Sequence, residues 1–214
     1  MNPNWQNLLV LGAVFLALFV LCEYLFHRRN WDAEHTRKVA HAGSGILALS
    51  FPFFLDSFWQ VALLCGLFLL ILAITKYSGL LRSIHAISRV SYGSTMFPVV
   101  VSICFWRYSN SHQLVHFYLP VLIMALADPA ACLFGKKMPI KKLYLNKSLG
   151  GALAFFAVAC TLSVVLFYFL GKQQLDNQLI TRALLVGIVT TAAEAFSGNG
   201  FDNLTIPMAA LLVV

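Results

Sequence analysis

The sequence predicts an all-α fold, a polytopic bundle of about seven transmembrane helices followed by a short C-terminal apolar segment. Of the 214 residues, 60% are hydrophobic and only 11% are charged, whereas soluble domains contain about 25% charged residues. Apolar runs of about 17–25 residues, the length that crosses a bilayer as a helix, recur along the chain. No linker or low-complexity tract interrupts them, so we expect a single integral membrane domain over residues 1–214.

The predicted spans follow the apolar runs in order. They cover 7–26, 39–56, 58–75, 92–108, 113–135, 148–170 and 179–197. The first run is longer than a signal-peptide core and no basic stretch precedes it, so it is interpreted as a retained span. Prolines within or beside the spans are compatible with helices, because neighbouring helices can satisfy the carbonyls that they free. The last stretch, 204–214, is too short to cross as a straight helix, and is interpreted as a partial span, a re-entrant segment or a truncated last helix.

Basic residues are distributed unevenly between the loops on the two predicted sides of the membrane. The loops after spans one, three and five carry twelve of them: Arg28, Arg29, Arg37, Lys38, Lys76, Arg82, Arg89, Lys136, Lys137, Lys141, Lys142 and Lys147. The opposite loops carry three: Arg107, Lys172 and Arg182. The positive-inside rule therefore predicts a protein of the cytoplasmic (inner) membrane with its N-terminus outside and its polar face in the cytoplasm. The net charge of +7 predicts contact with anionic lipid headgroups and nucleotide phosphates, and no nucleic acid.

The five cysteines lie singly within apolar runs, at Cys22, Cys65, Cys104, Cys132 and Cys160. They form no CxxC motif and no Cys/His cluster, so neither a zinc site nor a disulfide framework is predicted. We expect them to act as small hydrophobic side chains.

Asp128 is the most informative single residue of the chain. It lies in the apolar run 114–134, and a carboxylate at that depth costs a few kcal/mol and usually has a function. Pro129 follows it and can kink the helix, while the basic segment from Lys136 and Lys137 begins eight residues later. A carboxylate oxygen suits Mg²⁺ or another divalent cation, and a basic loop suits phosphate. The alternative is an acid that pairs with a lysine for folding only.

The sixth predicted span opens with Asn146, Lys147 and Ser148, followed by Gly150 and Gly151. Asn146 or Ser148 can cap the helix, and free N–H groups of its first turn with Lys147 would suit a phosphate. The two glycines permit close approach of backbone or ligand. The alternative interpretation is helix capping, with the glycines serving helix packing.

Three further polar residues close the seventh predicted span, Glu194 within its last turn and Asp202 and Asn203 after a glycine-containing turn. Two acids and an amide at one surface can complete a metal site or orient an attacking hydroxyl. A turn alone also explains Asp202 and Asn203, because these residue types favour turns.

The second predicted span begins beside Arg37, Lys38 and His41. Helical spacing places His41 on a face shared with one of the two cations, where it can contact phosphate or relay a proton. Interfacial cations and a structural histidine are the equally weighted alternative. Arg89 before the fourth span gives a weaker signal of the same kind.

Taken together, these motifs resemble the polyprenol kinase family, which includes dolichol kinase, phytol kinase and CTP-dependent diacylglycerol kinases, and which is related to the phosphatidate cytidylyltransferases. The resemblance extends from about residue 37 to the C-terminus. It rests on an ordered set of pieces: Arg37-Lys38-x-x-His41, Tyr92-Gly93 with Pro98, Asp128-x-x-Ala131 with Gly135, Lys147-Ser148-x-x-Gly151, Glu194, and Asp202-Asn203-Leu204-x-x-Pro207. Pro129 departs from the Gly-rich context of many relatives, and the chain is short beside dolichol kinases.

The resemblance implies a CTP-dependent enzyme that moves the γ-phosphoryl of CTP to the hydroxyl of a prenol or diacylglycerol, with Mg²⁺. The implied catalytic residues are Asp128, Glu194, Asp202 and His41. The implied phosphate-binding residues are Lys137, Lys147, Ser148, Gly151, Arg37 and Lys38, and the implied metal ligands are Asp128, Glu194, Asp202 and Asn203.

Three other functions are considered on the sequence, and one of them, a non-catalytic membrane scaffold, would leave Asp128 and Glu194 unexplained. A phosphatidate cytidylyltransferase would make CDP-diacylglycerol, although the HGG-type loop and further Asp-Arg pair of that family are not found. A transporter would also place charges in the membrane, but it predicts an internal repeat and charges approaching the midplane from both sides.

Overall fold

The computed structural model describes residues 4–86, 91–138, 140–142 and 147–214, and these residues form helices with no β-strand among them. The all-α prediction is thus confirmed. The helices are α1 (Trp5–Arg28), α2 (Ala33–Ala48), α3 (Phe51–Phe54), α4 (Phe58–Tyr77), α5 (Arg82–His85), α6 (Gly93–Ser111), α7 (Val115–Leu122), α8 (Asp128–Lys137), α9 (Leu149–Phe169), α10 (Asn177–Ala195) and α11 (Asp202–Val213), with a π-helical turn, Ile123–Ala127, joining α7 to α8.

Five helices of the described ranges are long and apolar enough to cross a membrane, and the chain is a membrane protein. They are Trp5–Arg28, Phe58–Tyr77, Val115–Lys137 (α7, the π turn and α8 together), Leu149–Phe169 and Asn177–Ala195. They correspond to the first, third, fifth, sixth and seventh predicted spans. The predicted total of about seven is not confirmed.

The second and fourth predicted spans differ from the prediction for identifiable reasons. The predicted span 39–56 is split, because α2 ends at Ala48 and the separate turn α3 contains Pro52. The fourth predicted span, 92–108, is the single helix α6, which continues through polar residues to Ser111. It is not one of the five helices that are long and apolar enough to cross a membrane. The apolar stretch 204–214 lies in α11, which has 12 residues.

The chain divides into two compact units, residues 1–102 and 103–214. In the N-terminal unit, α1 packs against α2, α4 and α5. Gln60 joins α4 to the start of α1, because its side-chain amide donates to the Asn4 carbonyl at 3.2 Å. Its side-chain oxygen accepts from the Ser57 N–H at 3.1 Å and so caps α4 itself. The prediction of one domain over residues 1–214 stays a prediction.

In the C-terminal unit, α9 lies at the centre of the packing. It contacts α7, the π turn, α8 and α10, while α11 packs against α7 and α10. Phe117, Ile123, Met124, Phe155 and Ile206 are fully buried between these helices. This arrangement determines where the ends of α8, α10 and α11 lie around the start of α9.

Candidate functional site

Asp128 is positioned by an irregularity in its own helix. The π turn Ile123–Ala127 ends immediately before it, and Pro129 occupies the second position of α8. A proline lacks an N–H and its ring clashes with the carbonyl four residues earlier, which here belongs to Ala125 within the π turn. The wider turn accommodates Pro129, and such turns occur frequently at functional sites. Asp128 itself is partly exposed.

Helices α8 and α9 approach closely through Gly135 and Gly151. A Cβ added to Gly151 would lie 2.8 Å from the Ala131 carbonyl oxygen, and one added to Gly135 would lie 2.7 Å from the Ser148 hydroxyl oxygen. Gly150 likewise packs against the carbonyl of Met138. The glycines therefore serve helix packing, which brings the start of α9 against α8.

Ser148 is the N-cap of α9. Its hydroxyl oxygen accepts from the Gly151 N–H at 3.1 Å, and the hydroxyl donates to the Gly135 carbonyl at 3.3 Å. The Leu149 N–H donates to the Lys141 carbonyl at 2.8 Å. The expectation of free first-turn N–H groups is therefore wrong for Leu149 and Gly151, because the local backbone and the cap already use them. A phosphate-binding role for Ser148 and Gly151 stays a prediction.

The centre of the site is an ion pair between Lys147, which precedes this cap, and Glu194 in the last turn of α10. The Lys147 ammonium donates to Glu194 Oε1. The side chains are only 25% and 3% exposed, respectively. The pair joins the start of α9 to the end of α10.

Two further carboxylates lie within electrostatic range of Lys147. Burial acts to lower the pKa of Lys147, but the hydrogen bond to Glu194 and the negative charges of Glu194, Asp128 and Asp202 outweigh it, so the pKa is raised. Lys147 therefore stays protonated at neutral pH. The four residues form one cluster, which we call the Lys147 cluster: Lys147, Glu194, Asp128 and Asp202.

Asp202 begins α11, where the positive end of the helix dipole stabilises a carboxylate. Its Oδ1 accepts from the Asn203 N–H at 3.0 Å, and Asn203 is buried. The preceding turn is fixed by Ser197, whose hydroxyl contacts the hydroxyl of Thr205. These contacts hold the start of α11 beside the end of α10.

The remaining predicted phosphate ligands fall into two places. Lys137 is exposed in the last turn of α8, within the same unit as the Lys147 cluster. Arg37, Lys38 and His41 lie on α2 in the N-terminal unit. Arg37 pairs with Glu34 at 3.0 Å, Lys38 is exposed, and the His41 ring contacts the Phe97 ring at 5.1 Å between centroids.

The oxygen donors of the site fit some forms of Mg²⁺ coordination and not others. In the described residues, no three His, Cys, Asp or Glu side chains are grouped closely enough to hold a metal ion. Mg²⁺ is more often bound by one or two carboxylates together with substrate phosphates and water. Asp128, Asp202 and Asn203 carry oxygen donors of the kind that Mg²⁺ takes, so by the chemistry of these donors they would suit an ion shared with a phosphate and not a protein-only cage.

Two polar residues were not predicted from the sequence. Thr191, one turn before Glu194, has a hydroxyl oxygen that is buried without a hydrogen-bond partner among the described residues; its spacing from Glu194 in an apolar helix was the available signal. Glu23, in α1, accepts from the Ser83 N–H at 3.1 Å and pairs with His27 at 3.0 Å. Glu23 thus has a structural role, which only the tertiary fold reveals. The predicted residues Asn146 and Arg89 lie outside the described residues.

Comparison with known proteins finds a curated protein that is similar to this chain over most of its length. No family model matches the chain, and no solved structure matches it. The chain is 27% identical to a phytol kinase of Synechocystis sp. over 209 residues, which cover 95% of this chain and 88% of that protein. This similarity to a phytol kinase supports the resemblance to the polyprenol kinase family that the ordered motifs predict.

Proposed function

We propose that this protein is a kinase of the cytoplasmic membrane that transfers the γ-phosphoryl of CTP to the hydroxyl of a membrane lipid alcohol, a prenol or diacylglycerol, with Mg²⁺. The similarity to a phytol kinase supports a lipid alcohol as the acceptor. The observation that carries the proposal is the Lys147 cluster, a half-buried cation that interacts with three carboxylates where the ends of four helices, α8, α9, α10 and α11, come together.

The cluster has the features that phosphoryl transfer requires. Such transfer depends mainly on positioning and on neutralising charge on the transferred group. Lys147 would bind a nucleotide phosphate, and Glu194 holds the ammonium charged and oriented. Because the Leu149 and Gly151 N–H groups are already bonded, the α9 N-terminus would contribute chiefly through its dipole. Lys137, exposed nearby in sequence, would attract the nucleotide and anionic lipid headgroups.

In the proposed step, the lipid hydroxyl oxygen forms a bond to the γ-phosphorus while the bond to the β–γ bridging oxygen breaks. The products are a lipid phosphate and CDP. The hydroxyl proton passes to a carboxylate oxygen, for which Asp128 and Asp202 are the two candidates. Asp128, Asp202 and Asn203, with Glu194 as a further carboxylate, would hold Mg²⁺, and the bound ion would supply positive charge to neutralise the transferred group. His41 stays a predicted catalytic residue on α2.

The test uses purified protein in detergent micelles with CTP labelled at either the γ-phosphate or the base, and a panel of lipid alcohols and phosphatidate. We expect γ-label in a lipid phosphate, base label in CDP, and loss of turnover with a chelator. Base label in a CDP-lipid, with release of pyrophosphate, would instead identify a cytidylyltransferase. No covalent product with any acceptor, together with ligand uptake in proteoliposomes, would favour the transporter.

A further inference from the structure

A groove lies between α1 and α4 in the N-terminal unit, and no residue of the Lys147 cluster lines it. Its volume is about 450 Å³, which is within the range of about 300–1,000 Å³ typical of small-molecule sites. The rings of Phe19 and Phe68, with centroids 5.6 Å apart, join the two helices beside it. The turn that leads from α4 to α5 also lines the groove, from Gly79 to Arg82. Two helices and a turn of the same compact unit therefore bound it.

The groove changes from apolar to polar along α1. Leu16, Phe19 and Val20 form its apolar part, and Glu23 and His27 form its polar part. Their spacing of three or four residues places them on one face of the helix. The axial distance from Leu16 to His27 is about 16 Å, at 1.5 Å per residue, and the hydrocarbon core of a bilayer is about 30 Å thick. The groove therefore has the depth of one leaflet.

Hydrogen bonds from α1 and α4 fix the start of α5, which carries Arg82. Glu23 Oε1 accepts from the Ser83 N–H at 3.1 Å and from the Ser83 hydroxyl at 3.0 Å. On α4, the Thr75 hydroxyl contacts His85 Nε2 at 3.1 Å. These contacts hold the backbone of Arg82 at the polar end of the groove.

Arg82 gives the polar end of the groove its positive charge. In the part of the chain that the structure describes, its guanidinium forms no ion pair. The carboxylate of the same wall is already engaged, because Glu23 Oε2 pairs with His27 at 3.0 Å and Oε1 accepts from Ser83. Arg28 and Lys76, exposed at the same ends of α1 and α4, add positive charge without lining the groove. An anion is therefore attracted to this end.

We propose that this groove binds one anionic phospholipid of the leaflet on the basic side, with its phosphate at Arg82 and part of an acyl chain along Leu16, Val20 and Ile71. A guanidinium can donate two parallel hydrogen bonds to a phosphate, and basic pockets between transmembrane helices bind lipid headgroups. The apolar wall suits a lipid and offers nothing to a soluble phosphate. The inference does not rest on the proposed function, since the lipid is a bound partner and not the acceptor of the phosphoryl group.

The test measures lipid retention by native mass spectrometry. Purified protein in detergent is titrated with phosphatidylglycerol or with phosphatidylcholine, and the dissociation constant of the first bound lipid is determined. Arg82→Gln removes the groove cation, and Arg28→Gln is the matched control at an exposed position outside the groove. Val20→Trp fills the apolar part, and Val14→Trp makes the same change at an exposed position of α1 that does not line the groove.

We expect the wild type to bind the first phosphatidylglycerol at least about tenfold more tightly than phosphatidylcholine, because a hydrogen bond between charged groups contributes that much. Arg82→Gln should reduce this preference to less than about threefold, whereas Arg28→Gln should keep it. Val20→Trp should weaken the binding of both lipids by about tenfold, and Val14→Trp should leave the binding of both unchanged.

Several results would overturn the inference. Equal retention of the two lipids by the wild type would exclude recognition of a negative headgroup, and equal losses in Arg82→Gln and Arg28→Gln would show only a diffuse basic surface. A dimer that forms without lipid and is lost in Val20→Trp would assign the groove to a second copy of the chain. If Arg82→Gln does not fold, wild-type lipid binding in Val20→Trp is enough to reject the site. None of these measurements involves turnover, so they leave the test of the proposed function separate.

Discussion

At the residue scale, the pair of Lys147 and Glu194 has an energetic consequence that a surface ion pair lacks. Both side chains are largely removed from water, with Glu194 only 3% exposed. Removing one partner of a buried pair leaves the other as an uncompensated charge, which is strongly destabilising. Charge balance inside the cluster is therefore as important to its fold as to any chemistry, and variants must be judged by activity per folded molecule.

The first prediction compares two lysines of the same segment. Lys147→Ala should reduce kcat/KM for CTP at least about tenfold, equivalent to about 1.4 kcal/mol, because the phosphate loses a desolvated cation. Lys141→Ala should have little effect, since Lys141 is exposed and its charge is screened. Steady-state kinetics on purified, folded variants provides the measurement. Equal losses in both variants would show that the loop is only an electrostatic surface.

The second prediction concerns Asp128. Asp128→Asn keeps the shape of the side chain and removes a negative charge near Lys147, so the protein should stay folded. Turnover should fall by at least about two orders of magnitude if the carboxylate holds metal or accepts the proton. Activity and thermal unfolding are measured on the same preparation. Wild-type-like turnover would remove Asp128 from the proposed step.

At the element scale, the crossing of α8 and α9 positions the Lys147 cluster. The crossing depends on the absence of a Cβ at Gly151, where one would meet the Ala131 carbonyl oxygen at 2.8 Å. A backbone oxygen cannot rotate aside as a side chain can, so relief requires the helices to separate. Separation would move Lys147, two residues before α9, away from Glu194 on α10.

The third prediction compares two glycines within helices. Gly151→Ala should destabilise the protein by about 1–3 kcal/mol through overpacking, and should reduce activity as well. Gly66→Ala in α4 is the control, because its added Cβ would meet nothing within 4 Å and alanine favours a helix by about 1 kcal/mol over glycine. Thermal unfolding in micelles measures both. A stable, fully active Gly151→Ala protein would contradict the role of this crossing.

The elements show which parts of the fold a sequence can predict. Uninterrupted apolar runs such as 148–170 correspond to long helices, because each run satisfies its own backbone and matches the bilayer thickness. The sequence does not predict the break after Ala48, since hydropathy does not register the separate local turn that contains Pro52.

For the candidate site, the positions of Asp128, Lys147, Glu194 and Asp202 at span ends predict that these residues lie near one membrane surface. The hydrogen bond from the Leu149 N–H to the Lys141 carbonyl could not be predicted, because it depends on the path of the backbone.

At the scale of the whole molecule, the twelve-to-three distribution of basic residues predicts orientation, and with it the source of nucleotide. The C-terminal unit offers a direct test, because α9 separates two exposed positions. Ile140 precedes α9 and Gln174 follows it, and a helix of 21 residues extends about 31 Å, enough to cross a bilayer. The two positions should therefore lie on opposite sides of the membrane, with Ile140 on the basic side.

The last prediction uses single cysteines at these two positions, in a background from which the five native cysteines have been removed. In intact cells, a membrane-impermeant maleimide should label Gln174→Cys and not Ile140→Cys, because the basic loop faces the cytoplasm. Permeabilised cells should show labelling of both, which controls for the reactivity of each thiol. Labelling of Ile140→Cys from outside would reverse the orientation. Cytosolic CTP could then not reach the Lys147 cluster, since a nucleotide does not cross the bilayer unaided.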